Sequence, residues 1–351
     1  MRRANPASES RRVTTHDVAR QAGVSQATVS LVLGGNPRAR VSPTTRERVM
    51  RAAGELGYRP NIVARALVQR KSYAIGVVVP DLSNPFFMDV VTGVQRVAAE
   101  AGYAVLPGDV RDISPSRHLD ALRARQVDGL ILDGFGALAL PESELAGLKV
   151  VLVDEPSERF PGVYSDAPEA GRLAAEHLLG LGHARMAFIG PASDVYGFRM
   201  RERGFFQALR AAGLSLSSER LRRVPPTVAG GSAAMKTLLA LPRDERPTAV
   251  FCPTDLLAAG ALKACLTAGI AVPGEMSIVG CDDIELARVL TPELTTIRIP
   301  ARELGARAAR LLIRQLDDDG WVPRAGKPLP VKLVVRGTTG RSREQGIGNR
   351  E

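Results

Sequence analysis

The sequence predicts a mixed α/β protein in two parts, a small N-terminal helix-turn-helix module followed by a core of two doubly wound parallel sheets. Three observations predict it. From Tyr73 onward, continuous apolar runs alternate with helical stretches, the pattern of parallel strands covered on both faces. Before that point lie three short amphipathic helical patterns, the first two separated by a glycine turn. The charge divides at the same place: residues 1–71 hold 14 Lys or Arg against 4 Asp or Glu, whereas residues 72–351 hold 33 of each. The first part therefore carries the whole net charge of +10. That distribution directs a polyanion to the small module, because the counterion-release term scales with the phosphates neutralised.

In chain order, residues 1–12 read as a disordered basic tail and residues 13–58 as the helical module. Within VTTHDVARQAG, Thr14 and Asp17 fit a capping box, Val18, Ala19 and Ala22 form an apolar face, and Gly23 ends the helix. Ser25 caps a second helix, QATVSLVL, which turns Val29 and Val32 or Leu33 inward and Gln26, Ala27, Ser30 and Leu31 outward. A third begins at the Ser42 cap with Pro43 at its first position and buries Val49, Ala52, Ala53 and Leu56. Such a module sets its second helix in the major groove, where Gln26 and Ala27 are best placed to meet base edges. Residues 59–72, RPNIVARALVQRKS, form a connector too apolar for a plain linker. Asn61 to Val68 is only about two helical turns, below the roughly 12–15 residues at which an isolated helix becomes marginal. The connector's apolar residues Ile62, Val63 and Leu67 either pack on the core or form a contact surface for a partner.

The core reads as strands at YAIGVVVPD, VDGLILDG, KVVLVDEP, RMAFIGP, TAVFCPTD and MSIVGCDD, with helices over 85–101, 167–181, 198–212 and 256–268 and another in GGSAAMKTLL. Asp81, Asp154, Asp255, Asp282 and Asp283 each follow an apolar strand, where open parallel sheets bind ligands. A lone strand-end aspartate also serves as a turn former or helix cap, and Asp255 could cap the helix after it. Several opposed across a cleft, with one arginine, suit a hydroxyl-rich ligand.

Other function classes find little support. No apolar run reaches the roughly 20 residues of a membrane span, and the N-terminus lacks a signal-like apolar segment, so a cytoplasmic protein is expected. Cys252, Cys265 and Cys281 are not spaced as metal ligands and read as reduced, buried thiols. His16, His118, His177 and His183 lie on helices or their ends, and the nucleophile-elbow, phosphate-loop and dinucleotide fingerprints are missing. No catalytic residue, metal or cofactor is assigned.

VTTHDVARQAGVSQATVSLVLGG followed by RVSPTTRERVMRAAGELGYRPNIVARAL resembles the DNA-binding headpiece of the LacI/GalR family of bacterial transcription regulators, and the likeness continues through NPFF, GLGH, IVGCDDIELARVLTPELTTI and VVRGTT. The resemblance implies a periplasmic-binding-protein-like core with one subdomain from 73–169 and 300–328, the other from 170–299 and 329–341, and a polar tail over 342–351. It implies base contacts from Gln26, Ala27 and Leu31 and backbone contacts from Thr14, Ser25 and Thr28, with Ser30 on the same exposed face. Asn61, Ala64 and Leu67 are candidate hinge contacts, Leu67 as a wedge that kinks the duplex. One departure is Leu31, where the family usually has an arginine; leucine can only meet apolar surface such as a thymine methyl.

For the core, the resemblance ranks Asp282 and Arg201 first as effector contacts, with Phe86, Phe87, Asp154 and Asp255 as further candidates. Arg201 is chosen over its neighbours Arg199 and Arg203 on that match alone, and Phe86 and Phe87 have core packing as their alternative. Pro226 and Cys281 replace aromatic residues of relatives, making the cleft less aromatic. The expected partners are double-stranded DNA with a pseudo-palindromic operator, a small effector such as a sugar or related polar metabolite, and a second copy of the chain. A homodimeric, ligand-responsive repressor is the reading. The alternative is a solute-binding or carbohydrate-active protein on the same core, which would leave the basic module unexplained.

Overall fold

The computed structural model describes residues 13–33, 41–59, 71–110, 114–133, 144–193, 195–318, 320–321 and 326–342. They belong to two compact units divided after Tyr73. The expectations for residues 1–12, for the hinge residues Asn61, Ala64 and Leu67 and for the tail beyond Ser342 lie outside the described residues.

In the first unit, α1 (Thr15–Ala22), α2 (Gln26–Leu33) and α3 (Pro43–Glu55) enclose one apolar cluster in which Val18, Val29 and Val49 are fully buried. The caps form as the sequence dictates. The Thr14 amide donates to Asp17 at 2.9 Å while the Asp17 amide reaches back to the Thr14 hydroxyl at 3.4 Å, completing the capping box. Gly23 takes φ 63°, the left-handed conformation that turns the chain into α2. Ser42 accepts from the Thr45 amide at 3.2 Å, with Pro43 opening α3.

The second unit holds two sheets. The first comprises β1 (Ala74–Val79), β2 (Ala104–Asp109), β3 (Gly129–Asp133), β4 (Lys149–Val153) and β5 (Gly162–Val163), all parallel, in the order β2-β1-β3-β4-β5. Pairing of Ile75 with Gly129 and of Leu132 with Leu152 sets its central register. Helices α4 (Pro85–Glu100) and α5 (Pro115–Ala124) follow β1 and β2. The second sheet comprises β6 (Met186–Pro191), β7 (Leu221–Val224), β8 (Ala249–Phe251), β9 (Ser277–Asp282), β10 (Thr295–Arg298) and β11 (Lys332–Val334), in the order β11-β10-β9-β8-β6-β7. Only β11 runs antiparallel to its neighbour. Its helices are α6 (Ala167–Gly180), α7 (Tyr196–Ala211), α8 (Val228–Leu239), α9 (Asp255–Thr267) and the short α10 (Leu286–Val289). Helix α11 (Ala301–Asp317) returns to pack on α4 of the first half.

Each sheet places its second strand on one side of its first and its third on the other, so the strand order reverses between β1 and β3 and again between β6 and β8. A doubly wound sheet opens a crevice at that reversal, beyond the carboxyl ends of the strands. The chain passes between halves after β5, between β10 and α11, and before β11. A bridge between Ser165 and Leu329 ties the first and third passages together.

The strands not singled out by their apolar runs lie mostly at sheet edges. AVLPGD carries Pro107, tolerated in β2 because an edge strand leaves one side of its ladder open. LRRV, at the other sheet's edge, is only half-buried. The three cysteines are buried free thiols, with burial pushing Cys265 up to about 12. His183, 3 % exposed, hydrogen-bonds Thr248, Ser277 and the Gly340 carbonyl at 2.9–3.0 Å, joining the end of α6 to the starts of β8 and β9.

Candidate functional site

The two crevices face a common cavity of about 310 Å³. Pro80 and Asp81 after β1, Asp133 at the end of β3 and Asp154 after β4 line it from the first half. Ser193 after β6, Thr254 after β8 and Asp282 at the end of β9 line it from the second, with Phe198 and Arg201 of α7. Its volume is at the small end of ligand pockets, matching a monosaccharide-sized molecule better than a polymer.

Arg201 is the centre of the site. It is 2 % exposed, a burial a guanidinium tolerates only when its donors and charge are matched. Nη1 donates to the Pro253 carbonyl at 2.7 Å and to Asp282 Oδ1 at 3.0 Å, and Nη2 lies 3.8 Å from Asp154 Oδ2. The Phe198 ring stacks 5.7 Å from Cζ. Nε is buried without a hydrogen-bond partner among the described residues. Arg201 therefore joins an aspartate of the first half to one of the second.

The carboxylates differ according to their surroundings. Burial pushes Asp282 up to about 8, against the pull of Arg201 beside it. A protonated Asp282 can both donate and accept, which suits a hydroxyl. Its backbone, at φ 124°, lies outside the usual range for a side-chain-bearing residue, and strain of that kind is held where surrounding structure over-determines it. The next residue, Asp283, points to other partners. Although its burial raises the pKa, bonds from Arg336 and from Arg298 at 2.6 Å hold it below the ordinary carboxylate range. Asp154 accepts from the Ser165 hydroxyl at 2.7 Å, which anchors it to the first passage between halves.

Phe86 and Phe87 both line the cavity and are also buried, 5 % and 9 % exposed, with rings edge to face at 5.3 Å. Asp255 departs from the sequence expectation on both counts. It does not line the cavity, and the cap of α9 is Thr254, whose hydroxyl accepts from the Leu257 amide at 3.2 Å. The Asp255 carboxylate is fully buried and accepts from the Thr296 hydroxyl at 2.5 Å and the Ile284 amide at 2.9 Å, with burial pushing it up to about 6. It braces the segment after Asp282 from beneath. Pro226 lines the cavity beside Pro225, whereas Cys281 is fully buried and does not line it. Sequence reasoning did not name Asp133, Ser193, Phe198 or Thr254, although Asp133 ends an apolar strand run like the aspartates it did name.

Because Asp282 has a raised pKa in the folded chain, the stability it contributes is complete below its unfolded value and is lost as pH rises through about 8. Between about pH 7 and pH 8, unfolding free energy is expected to fall by up to roughly 1 kcal/mol per pH unit. Denaturant titrations should show this slope in the parent chain and a flatter one in Asp282→Asn. Equal slopes in both would remove Asp282 as the source.

In the headpiece, Gln26, Ala27, Ser30 and Leu31 are exposed on one side of α2 while Val29 and Val32 are buried on the other. Leu31 is 43 % exposed, an uncompensated apolar surface on the outward face. Ser25 Oγ accepts from the Thr28 amide at 3.1 Å and lies 2.9 Å from the Thr28 hydroxyl, so both groups sit at the N-terminus of α2, with Thr14 at that of α1. Helix N-termini direct amides and positive partial charge outward, the arrangement that receives phosphate.

Residues 14–61 match the bacterial regulatory proteins of the lacI family, and residues 175–339 match the periplasmic binding protein-like domain. The chain is 36 % identical over 332 residues to the HTH-type transcriptional repressor CytR of Escherichia coli (strain K12), covering 93 % of this chain and 96 % of that protein. It is 37 % identical to the ribose operon repressor of Halalkalibacterium halodurans, at 93 % and 97 % coverage. Among solved structures, the lac repressor dimer bound to operator and the anti-inducer ONPF superposes with a TM-score of 0.81 at 30 % identity, covering 94 % of this chain and all of that one.

A helix-turn-helix module joined to a two-sheet core whose cleft carries carboxylates and a buried arginine defines a ligand-binding transcriptional regulator. Within that class, the chain belongs to the LacI family of bacterial regulatory proteins.

Proposed function

We propose that the protein is a homodimeric repressor whose affinity for a pseudo-palindromic operator is set by a small, uncharged, hydroxyl-rich effector in the cleft. The observation that carries this reading is the Arg201 link between Asp154 of one half and Asp282 of the other. A ligand that engages this trio touches both halves, so its binding free energy depends on how they are arranged, which is the requirement for coupling to a remote function. Among the described residues, the lining carboxylates Asp81, Asp133 and Asp154 against the guanidinium of Arg201 disfavour an anionic effector, and with Asp282 they offer partners for hydroxyls. The similarity to repressors, and to a CelR–cellobiose complex at 30 % identity and TM-score 0.67, supports a sugar or sugar-like ligand.

In this reading residues 13–58 are the headpiece, 59–72 the hinge, and 73–169 with 300–328 and 170–299 with 329–341 the two core subdomains. Gln26, Ala27, Ser30 and Leu31 face the bases, Thr14, Ser25 and Thr28 hold phosphates, and Asn61, Ala64 and Leu67 work in the minor groove. Phe86, Phe87, Asp154, Arg201 and Asp282 contact the effector, Asp255 supports the site indirectly, and the cleft carboxylates bind rather than catalyse. Nucleoid-bound protein in the cytoplasm is the corresponding location.

The experiment is a titration of the full chain on its own upstream DNA at moderate salt, repeated with a panel of sugars, polyols and nucleosides. Saturable, sequence-specific binding altered by one class is expected; no saturable binding would overturn the reading. A second outcome concerns α2. Gln26→Ala should weaken specific binding by about 1–3 kcal/mol while leaving non-specific binding and its salt slope unchanged, as read by fluorescence anisotropy at several salt concentrations. An equal loss on both DNAs would reassign Gln26 to the phosphates.

A further inference from the structure

A second cavity, also of about 310 Å³, lies at the opposite end of the second sheet from the effector cleft. Arg185, Thr248 and Met276 of its lining immediately precede β6, β8 and β9, so it sits at the amino ends of three strands whose carboxyl ends shape the cleft. Among the described residues, four arginines line it, Arg185, Arg243, Arg246 and Arg341, against one carboxylate, Glu275. Glu275 is already engaged, accepting the Ala271 amide at 3.0 Å.

The arginines are arranged at two depths. Arg185 and Arg246 are half-buried, and Arg185 Nε donates to the Arg246 carbonyl at 3.2 Å. Arg246 Nε is itself buried without a hydrogen-bond partner among the described residues. Arg243 and Arg341 are exposed at the rim. The floor is rigid, since His183 is held there by Thr248, Ser277 and the Gly340 carbonyl. Like charges gathered round a concavity repel one another, and an anion entering it relieves that repulsion while gaining charge-assisted hydrogen bonds. The guanidinium fork matches phosphate oxygens in geometry as well as charge.

We propose that this cavity binds a small phosphate-bearing metabolite, a ligand distinct in charge and place from the effector of the cleft. A concavity of this size admits a small phosphorylated molecule, whereas a nucleic-acid backbone calls for an extended basic stripe. Among the described residues the charged lining of the cleft is mainly carboxylate and that of this cavity mainly guanidinium, so the cleft disfavours the anion that this cavity favours.

The test is calorimetric titration of the full-length protein with pyrophosphate, and separately with inorganic phosphate, at low ionic strength. Saturable binding of one pyrophosphate per chain is expected, with inorganic phosphate weaker. Arg246→Gln, and independently the double variant Arg243→Gln with Arg341→Gln, should each weaken it at least about tenfold, the scale of losing one charged hydrogen bond. If Arg246→Gln impairs folding, the rim variant decides, because both of its positions are exposed. No saturable binding, or binding that survives intact in the rim variant, overturns the proposal.

Discussion

Arg201→Met is expected to reduce effector affinity at least about a hundredfold and to cost the core about 3 kcal/mol of stability. Both follow from burial. The substitution removes the donor to the Pro253 carbonyl and to Asp282 and the positive charge near Asp154, in a place where water cannot replace them. Leaving partners of a buried charge unmatched costs about 3–5 kcal/mol, and the lower end applies here because burial already favours the protonated form of Asp282. Methionine fills much of the volume, so the loss reports charge and hydrogen bonding rather than a void. Arg201→Lys should not rescue binding, since an ammonium cannot reproduce the planar fork or its stacking on Phe198. Calorimetry with the effector found in the panel, beside thermal unfolding, checks both. Unchanged effector affinity in Arg201→Met would displace the site from the cleft.

Gly171→Ala should also destabilise the core by about 3 kcal/mol, by a different route. Helices α6 and α7 cross so closely that an added methyl group at Gly171 would stand 1.8 Å from the Arg201 carbonyl and 2.6 Å from the Phe205 amide. The contact is reciprocal, for one at Gly204 would stand 1.9 Å from the Pro168 carbonyl. In an ordinary helix the exchange would gain up to about 1 kcal/mol from propensity. Here backbone atoms must part by more than an ångström, and overpacking of that severity wins. Because α7 carries Arg201, the displacement should also weaken effector binding by tenfold or more. Gly305→Ala separates the two effects: its methyl would meet the Val90 carbonyl at 2.0 Å where α11 crosses α4, so it should destabilise similarly with less effect on the effector. Equal loss of affinity in the two variants would argue that general loosening, not the position of Arg201, is responsible.

The headpiece was legible because each of its determinants is local. A capping box, a left-handed glycine, a serine cap before proline and apolar spacing near 3.6 residues all lie within a dozen residues of what they control. The central strands were legible for a related reason, since burial on both faces leaves unbroken apolar runs. The edge strands were not, because one open side admits Pro107 in β2 and Arg222 and Arg223 in β7. Arg201 was chosen on family resemblance, yet the residues of α7 contained a direct signal. Gly197, Arg201, Gly204, Phe205 and Leu209 share one helical face and are the buried ones, while Arg199 and Arg203 are exposed.

By itself the sequence determined the three headpiece helices, five of the core helices and most central strands, but not the helices α5 and α11, and it showed where the basic part ends and which family the chain resembles, because these rest on periodicity, composition and short motifs. Only the tertiary structure decided between Asp282 and Asp255. Both sit beside apolar strands, but one opens on the cleft and the other is sealed by Thr296 and the Ile284 amide. It alone brought Arg201 between Asp154 and Asp282, residues 47 and 81 positions away, and gathered four arginines from three separate segments at the far end of the same sheet. Strand order and helix crossings bring such groups together, and sequence spacing carries no record of that proximity.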